Sequence, residues 1–382
     1  MQAFTLPQRI TAIMTRQVLG DAAMAESAKR LDWVDMAKGL SIFLVVLMYA
    51  ATSVGEDTGG IGALHWSVAF AMPFRMPEFF LISGLFLSQV IDRPWKAYAD
   101  RRVVHYLYFY ALWAVIHIVF KVGLLTANPV GAASDMVWAV VQPYGVLWFI
   151  YMLAVCGAAA KLLHDIRAPH WAVFAIAAIL QMAKIHTGSY AVDQFAAYFV
   201  FFYSGYVLAP HLFRLAAWAH ENVTIAIIGL FIWAILNAAL VFSPGFKMDP
   251  VHPVMGIAGL PGVHLILALV GTSALCVIAA LLTRLPWMNW LRWMGSKSLI
   301  IYVAFVLPMG IARTVLIKLG FVEPTLLGLA VMAISIISPL ILYWLVLRTG
   351  WGMFLFERPA WAHLPGTGSR REEPRAVQAP AE

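Results

Sequence analysis

Lys38 and Tyr49 stand eleven residues apart in a stretch without proline. At 100° per residue this is three helical turns plus about 20°, so both lie on one helix face, roughly 16 Å apart along its axis. That face puts a cation at one end and a polar ring deeper in. The blander reading has the ammonium reaching out to a polar surface and the ring packing with its hydroxyl bonded to a neighbouring helix. A second segment, Phe74 to Gly84, carries Arg75, Pro77, Glu78, Phe79, Phe80 and Ser83. Pro77 suits a first helical turn, and Glu78 beside it suits the positive end of a helix dipole. The functional alternative is that Arg75 and Glu78 border a polar cavity, because ionisable groups at membrane depth are costly without a role. Ser83-Gly84 reads as a site of close helix packing.

Histidines are the other source of acid–base chemistry. His65 follows the Gly59-Gly60-Ile61-Gly62 turn and is adjacent in chain to both segments, which makes it the foremost candidate. His105, His117, His252 and His264 lie within or beside other apolar runs. A lone histidine in such a run is more often a hydrogen-bonded packing residue. Asp35 either positions Lys38 or caps the helix that follows. Cys156 and Cys276 have no CxxC or Cys/His neighbours, so they read as small packing residues rather than metal or redox groups. HExxH, Walker A and strand-bound GxGxxG sequences are missing, and no metal site is expected.

The elements that must position these residues follow from composition. Of 382 residues, 62% are hydrophobic and only 12% charged, with a mean hydropathy of +0.81. Soluble domains carry about a quarter charged residues, so a water-soluble enzyme, a disordered chain and a nucleic-acid module are all excluded. The net charge of +7 reflects basic residues at the ends of apolar segments, as in membrane proteins. The partner of this chain is the lipid bilayer.

Apolar windows near 37–54, 76–91, 103–124, 136–159, 171–186, 194–212, 222–243, 259–283, 297–318 and 325–347 predict an all-α integral membrane protein, a bundle of about ten transmembrane helices. Pro73 and Pro77 make the second span the least regular. With alternating sides and an inner N-terminus, twenty of the 26 Lys and Arg residues fall on the inner side. The other six are Arg75, Lys121, Lys184, Lys247, Arg313 and Lys318. The positive-inside bias therefore predicts both termini cytoplasmic, in a multi-pass protein of the cell (inner) membrane.

Residues 1–31 read as an N-terminal tail with no cleavable signal. The spacing of Ile10, Ile13, Met14 and Val18 fits a surface-lying helix, and a mobile tail fits equally well. Residues 32–350 form the membrane domain. Residues 351–382 are a second tail, with a Pro-, Gly- and charge-rich end from Gly366 expected to be disordered.

The order of four motifs resembles the membrane acyltransferase-3 family. These are Asp35-Met-Ala-Lys38-Gly39, Met76-Pro77-Glu78-Phe79-Phe80-Leu-Ile-Ser83-Gly84 followed by Arg101-Arg102, Tyr144-Gly145-Val-Leu-Trp148-Phe149, and Gly295-Ser-Lys-Ser-Leu-Ile-Ile-Tyr302. The resemblance covers about residues 30–350. It implies an integral enzyme that moves an acyl group, often acetyl, from cytoplasmic acyl-CoA to a hydroxyl of a carbohydrate or lipid-linked glycan. Under it, Lys38, Arg101 and Arg102 would hold the CoA phosphates, and Phe79, Phe80 and Ser83 would flank the acyl end. Tyr49, His65 and Glu78 are the candidate catalytic groups.

Three positions depart from the family pattern. The family begins its first motif with arginine and closes it with a histidine taken as the base, where this chain has Lys38 and Tyr49. Lysine attracts phosphate as a point charge without the guanidinium fork. An ordinary histidine titrates near 6.5 and takes a proton at neutral pH, whereas an ordinary phenol titrates near 10. A second family histidine corresponds to Phe305. The rival expectation is therefore a non-catalytic or lapsed paralogue that carries or transports acylated or lipid-linked sugars.

Overall fold

The computed structural model describes the backbone of residues 6–367 and the side chains of residues 32–367. Along the chain the helices are α1 (Leu6–Thr58), α2 (Ala63–Ala71), α3 (Arg75–Gly84), α4 (Trp95–Ala99), α5 (His105–Ile118), α6 (Pro129–Trp138), α7 (Trp148–Asp165) and α8 (His170–Met182). They continue as α9 (Tyr190–Glu221), α10 (Val223–Val241), α11 (Pro261–Leu282), α12 (Asn289–Ser296), α13 (Ser298–Ala304), α14 (Val306–Lys318) and α15 (Pro324–Thr349). A wide π turn over Asp100–Val104 joins α4 to α5. The described residues form no strand beyond an isolated bridge between Lys247 and Val254.

The all-α membrane architecture stands, with a smaller set of full spans. Among the described residues seven helices are long and apolar enough to cross a bilayer: Asp32–Thr58, Trp95–Leu125, Gly145–Asp165, α9, α10, α11 and α15. The pair α13 and α14, bent by 55°, makes an eighth if it is one span. Each of the ten expected segments contains a helix, but two are short. The helix in 76–91 is α3, with 10 residues; that in 171–186 is α8, with 13. Ten residues rise about 15 Å, half the hydrocarbon thickness. Hydropathy windows register apolarity and do not measure how far a helix continues. The outward rows on α10, such as Ile225, Ile228, Phe231, Ile232 and Ile235, are exposed apolar side chains suited to lipid.

The chain divides into two compact units. The first takes in the chain up to Leu85, Ser204–Leu299 and Arg313–Ala333. Here α1 packs on α12 and α11, and then on α2 and α3. The inward positions Met36, Ala37, Ile42, Val45, Val46, Ala50 and Val54 are all but inaccessible. Small residues set the approach. A Cβ on Gly39 would overlap the Leu291 carbonyl, and one on Gly295 would overlap the Asp35 carbonyl, so backbones touch where the first and last motifs cross. Helix α3 is held in the same manner, with Gly205 of α9 against the Leu81 carbonyl and Gly271 of α11 against Phe74.

Asp35 does not cap a helix, contrary to one of the two expectations for it. Helix α1 runs unbroken from Leu6, so the amides after Asp35 are already bonded within the helix. Its carboxylate instead pairs with Lys38 at 3.0 Å. The backbone of residues 6–31 belongs to α1; the side chains of the proposed surface stripe, Ile10 to Val18, lie outside the described residues.

The second unit comprises Phe86–Tyr203, Ile300–Ala312 and the chain from Ile334. Tyr98 donates to the Gly157 carbonyl at 2.7 Å, and Tyr110 to the Ala139 carbonyl at 2.5 Å. Tyr302 donates to the Val146 carbonyl and packs edge-on against Phe149 at 5.5 Å, so the third and fourth motifs meet here. The stretch after α15 folds back: Tyr108 donates to Phe354 O at 2.9 Å and Trp113 Nε1 to Leu355 O at 3.0 Å. The end expected to be disordered falls, from residue 368, outside the described residues.

Candidate functional site

The nine sequence-derived site residues divide between the units. Lys38, Tyr49, His65, Glu78, Phe79, Phe80 and Ser83 belong to the first, Arg101 and Arg102 to the second.

In the first unit, the continuity of α1 preserves the shared face of Lys38 and Tyr49. The Lys38 side chain is about one-third exposed, at 35%, and is tethered to Asp35; Tyr49 is half-buried. Ser41, one turn beyond Lys38, bears on Glu78 of α3. Glu78 is fully buried. The Ser41 hydroxyl donates to the Ala37 carbonyl at 2.9 Å, and neither carboxyl oxygen of Glu78 has a hydrogen-bond partner. Cys276 of α11 also lies within electrostatic reach of Glu78. An ionisable group is thus buried with only the Ser41 hydroxyl near enough to bear on it, an expensive placement in any interior.

Phe79 and Phe80 are buried, and the Ser83 hydroxyl is used on the Phe79 carbonyl at 2.8 Å. His65 is also buried, at the start of α2, where its Nδ1 accepts the Gly62 N–H at 3.0 Å. A neutral imidazole accepting at Nδ1 carries its proton on Nε2. That Nε2 has no partner and sits against α1 at Gly55, 2.9 Å from where a Cβ would stand. In this arrangement His65 is a helix cap whose basic nitrogen is occupied. Among the other candidates, His117 is buried against Trp113 and bonded to the Val303 backbone.

In the second unit, the π turn carries Arg101 and Arg102. Arg102 donates to the Phe86 carbonyl at 3.3 Å, and Arg101 is exposed. Beside them a cavity of about 290 Å³ is lined by a polar cluster that sequence reasoning missed: Asp100, Arg358 and His363. Asp100 is 1% exposed. Nothing local in the sequence couples two residues 258 positions apart. The one available signal was an aspartate beginning an apolar span, a residue that requires a partner. A larger groove of about 680 Å³ between α5 and α7 is lined mainly by alanines and other apolar side chains; its Tyr110 hydroxyl is engaged on Ala139. Both cysteines are buried, and among the described residues no three His, Cys, Asp or Glu side chains form a cluster able to hold a metal.

Comparison with known proteins gives two matches of different reach. A family model described as an acyltransferase domain, of the acyltransferase-3 type, matches residues 31–344. Inner membrane protein YcfT of Escherichia coli (strain K12) is 25% identical over 170 residues, covering 38% of this chain and 48% of YcfT. The match therefore spans about half the length of that relative. No solved structure matches.

Proposed function

This chain belongs to the acyltransferase-3 family of integral membrane proteins, and from that premise we propose that it is an O-acyltransferase using acyl-CoA, with acetyl the favoured group. The acceptor is a hydroxyl of a carbohydrate or lipid-linked glycan. In the reaction the acceptor oxygen attacks the thioester carbonyl, a C–O bond forms, the C–S bond breaks, and the hydroxyl proton leaves with the CoA thiolate. Of the candidate cations for the donor phosphates, Lys38 lies in the first unit and Arg101 and Arg102 in the second, and each offers positive charge to a phosphate. Tyr49 hydrogen-bonds the acceptor hydroxyl, which need only come within about 3 Å of it. Glu78, Phe79, Phe80 and Ser83 all lie on α3, which packs on α1. The name of YcfT supports an inner-membrane location, and the basic-residue bias supports cytoplasmic termini.

The observation that carries the reading is the unbroken α1, which keeps Lys38 and Tyr49 on one face, with Ser41 bearing on Glu78. The test is acyl-CoA turnover by detergent-purified protein beside Tyr49→Phe and Tyr49→His. Turnover in the parent that falls about 10²-fold or more in Tyr49→Phe, with donor affinity unchanged, supports the phenol's role.

The second reading is a lapsed paralogue acting as a carrier of acylated or lipid-linked sugars. It is favoured by the engaged Nδ1 of His65 and by Tyr49 and Phe305 at the family's histidine positions. A silent parent with an active Tyr49→His variant would establish a donor site on a lapsed enzyme. Silence in all three, without acyl-CoA binding, would leave the carrier.

A further inference from the structure

We propose that the segment 353–367 completes a phosphate-binding pocket on the π turn before α5, with Arg101, Arg358 and His363 as its donors and Asp100 as its buried anchor. The segment lies beyond residues 31–344, which match the family model.

The anchor is saturated. Asp100 Oδ1 accepts the Leu364 N–H at 2.8 Å. Its Oδ2 takes Arg358 Nη2 at 2.5 Å and faces His363 Nδ1 at 3.1 Å. Arg358 Nη1 donates to the Asp100 carbonyl at 2.6 Å. The Arg358 side chain is 4% exposed, and its Nε has no partner. The guanidinium is thereby fixed in place on the cavity wall. His363 turns Nδ1 to Asp100 and Arg358, which leaves Nε2 for the cavity.

The charge balance points to an anion. Asp100 is the only acid on the lining, and Arg358 already neutralises it. Arg101 makes no ion pair among the described residues and lies on the same wall. Lys96 lies against the same returning tail, its Nζ 3.9 Å from where a Cβ on Gly366 would be. His105 adds a further ring to the lining and feels the charges of Arg358 and Arg102. Donors arriving from the π turn, the returning tail and the α5 face converge from several directions, which suits a tetrahedral oxyanion better than a planar one. Wide π turns of this kind commonly occur at functional sites.

Two sources share this chemistry: the phosphates of a nucleotide-bearing donor and the headgroup of an anionic phospholipid. The first would deepen the donor-site reading, with which the pocket shares Arg101. The test therefore reads binding rather than turnover, so the two proposals fail separately.

Full-length detergent-purified protein is titrated calorimetrically with adenosine 3′,5′-bisphosphate, and phosphatidylglycerol carry-over is read by native mass spectrometry. Both are repeated on Arg101→Gln and Arg358→Lys. The lysine keeps a cation on Asp100 and removes the guanidinium fork, and Arg101 is exposed, so the fold survives. Either probe binding to the parent in a salt-sensitive manner, and about tenfold more weakly to both variants, supports the pocket. Bisphosphate binding assigns it to the donor; lipid retention alone assigns it to the headgroup and removes Arg101 from the donor site. Phosphate binding without turnover leaves the pocket standing and the enzyme reading overturned. Neither probe binding, or variants that bind like the parent, overturns the pocket.

Discussion

Gly295 lies directly against the backbone of Asp35: a Cβ there would stand 2.9 Å from the Asp35 carbonyl carbon and overlap its oxygen. The same Cβ would come within 2.6 Å of the Gly39 nitrogen. Two motifs some 260 residues apart are thereby a single crossing of α1 and α12, and the glycines in them are what bring the backbones together.

Gly295→Ala must push the two helices apart, because backbone on both sides leaves nothing flexible to yield. Overpacking of this kind costs about 1–3 kcal/mol or more, so the thermal midpoint in detergent should fall by several degrees. Gly229→Ala, at a position in α10 where a Cβ meets nothing within 4 Å, should instead leave the midpoint unchanged or raise it, since alanine favours the helix by up to about 1 kcal/mol.

Glu78 is held at the fold's expense. Replacing it with methionine removes two buried acceptors that have no donor, each of a kind that costs about 1–3 kcal/mol. We expect Glu78→Met to raise the unfolding midpoint and to abolish acyl transfer. A variant destabilised and still active would show the carboxyl to be structural.

His65 separates capping from base catalysis. Its Nδ1 accepts the Gly62 N–H, a role that glutamine fills through its amide oxygen and alanine leaves vacant. His65→Ala should lower stability by about 1–3 kcal/mol, and His65→Gln by much less, with turnover retained in the latter. Loss of turnover in a stable His65→Gln would assign the ring to catalysis.

Two carboxylates outside the spans make local structure sensitive to acid. Asp249 accepts the N–H groups of Val251 and His252 at 2.8 and 2.7 Å, and Glu323 those of Thr325 and Leu326 at 3.0 and 2.6 Å. These backbone bonds hold both groups below the usual carboxylate range. A depressed folded-state pKa means that the stabilisation is full above the unfolded value, about 4, and drains away as pH falls through the folded one. Amide exchange at these four residues should keep its protection at neutral pH and lose it only in strong acid. In Asp249→Asn and Glu323→Gln the protection should no longer depend on pH.

The sequence made the membrane class legible because apolar runs and basic flanks are local properties. Lengths were less so: 76–91 and 171–186 are apolar enough for spans, yet α3 stops at Gly84 and α8 at Met182. Asp35 looked like a cap because the helical spacing of Ile10 to Val18 gave no sign that the same helix continues through Asp35 into the first span. Lys38 and Tyr49 were placed by helical arithmetic alone, whereas the enclosure of Glu78 depends on α11 and on Ser41, which periodicity cannot assign. Asp100, Arg358 and His363 were invisible for the same reason, since their meeting is tertiary.

The tail sets where this protein can be cut or fused. A chain ended after residue 344, the limit of the family match, would lack Arg358, His363 and the Leu364 amide, the groups that hold the Asp100 carboxylate. Stripping one partner from a buried ion pair costs about 3–5 kcal/mol, a large share of what holds a typical domain folded. The smallest piece worth expressing therefore runs through Thr367, and an affinity handle or fluorescent reporter belongs after that residue, never in place of what precedes it.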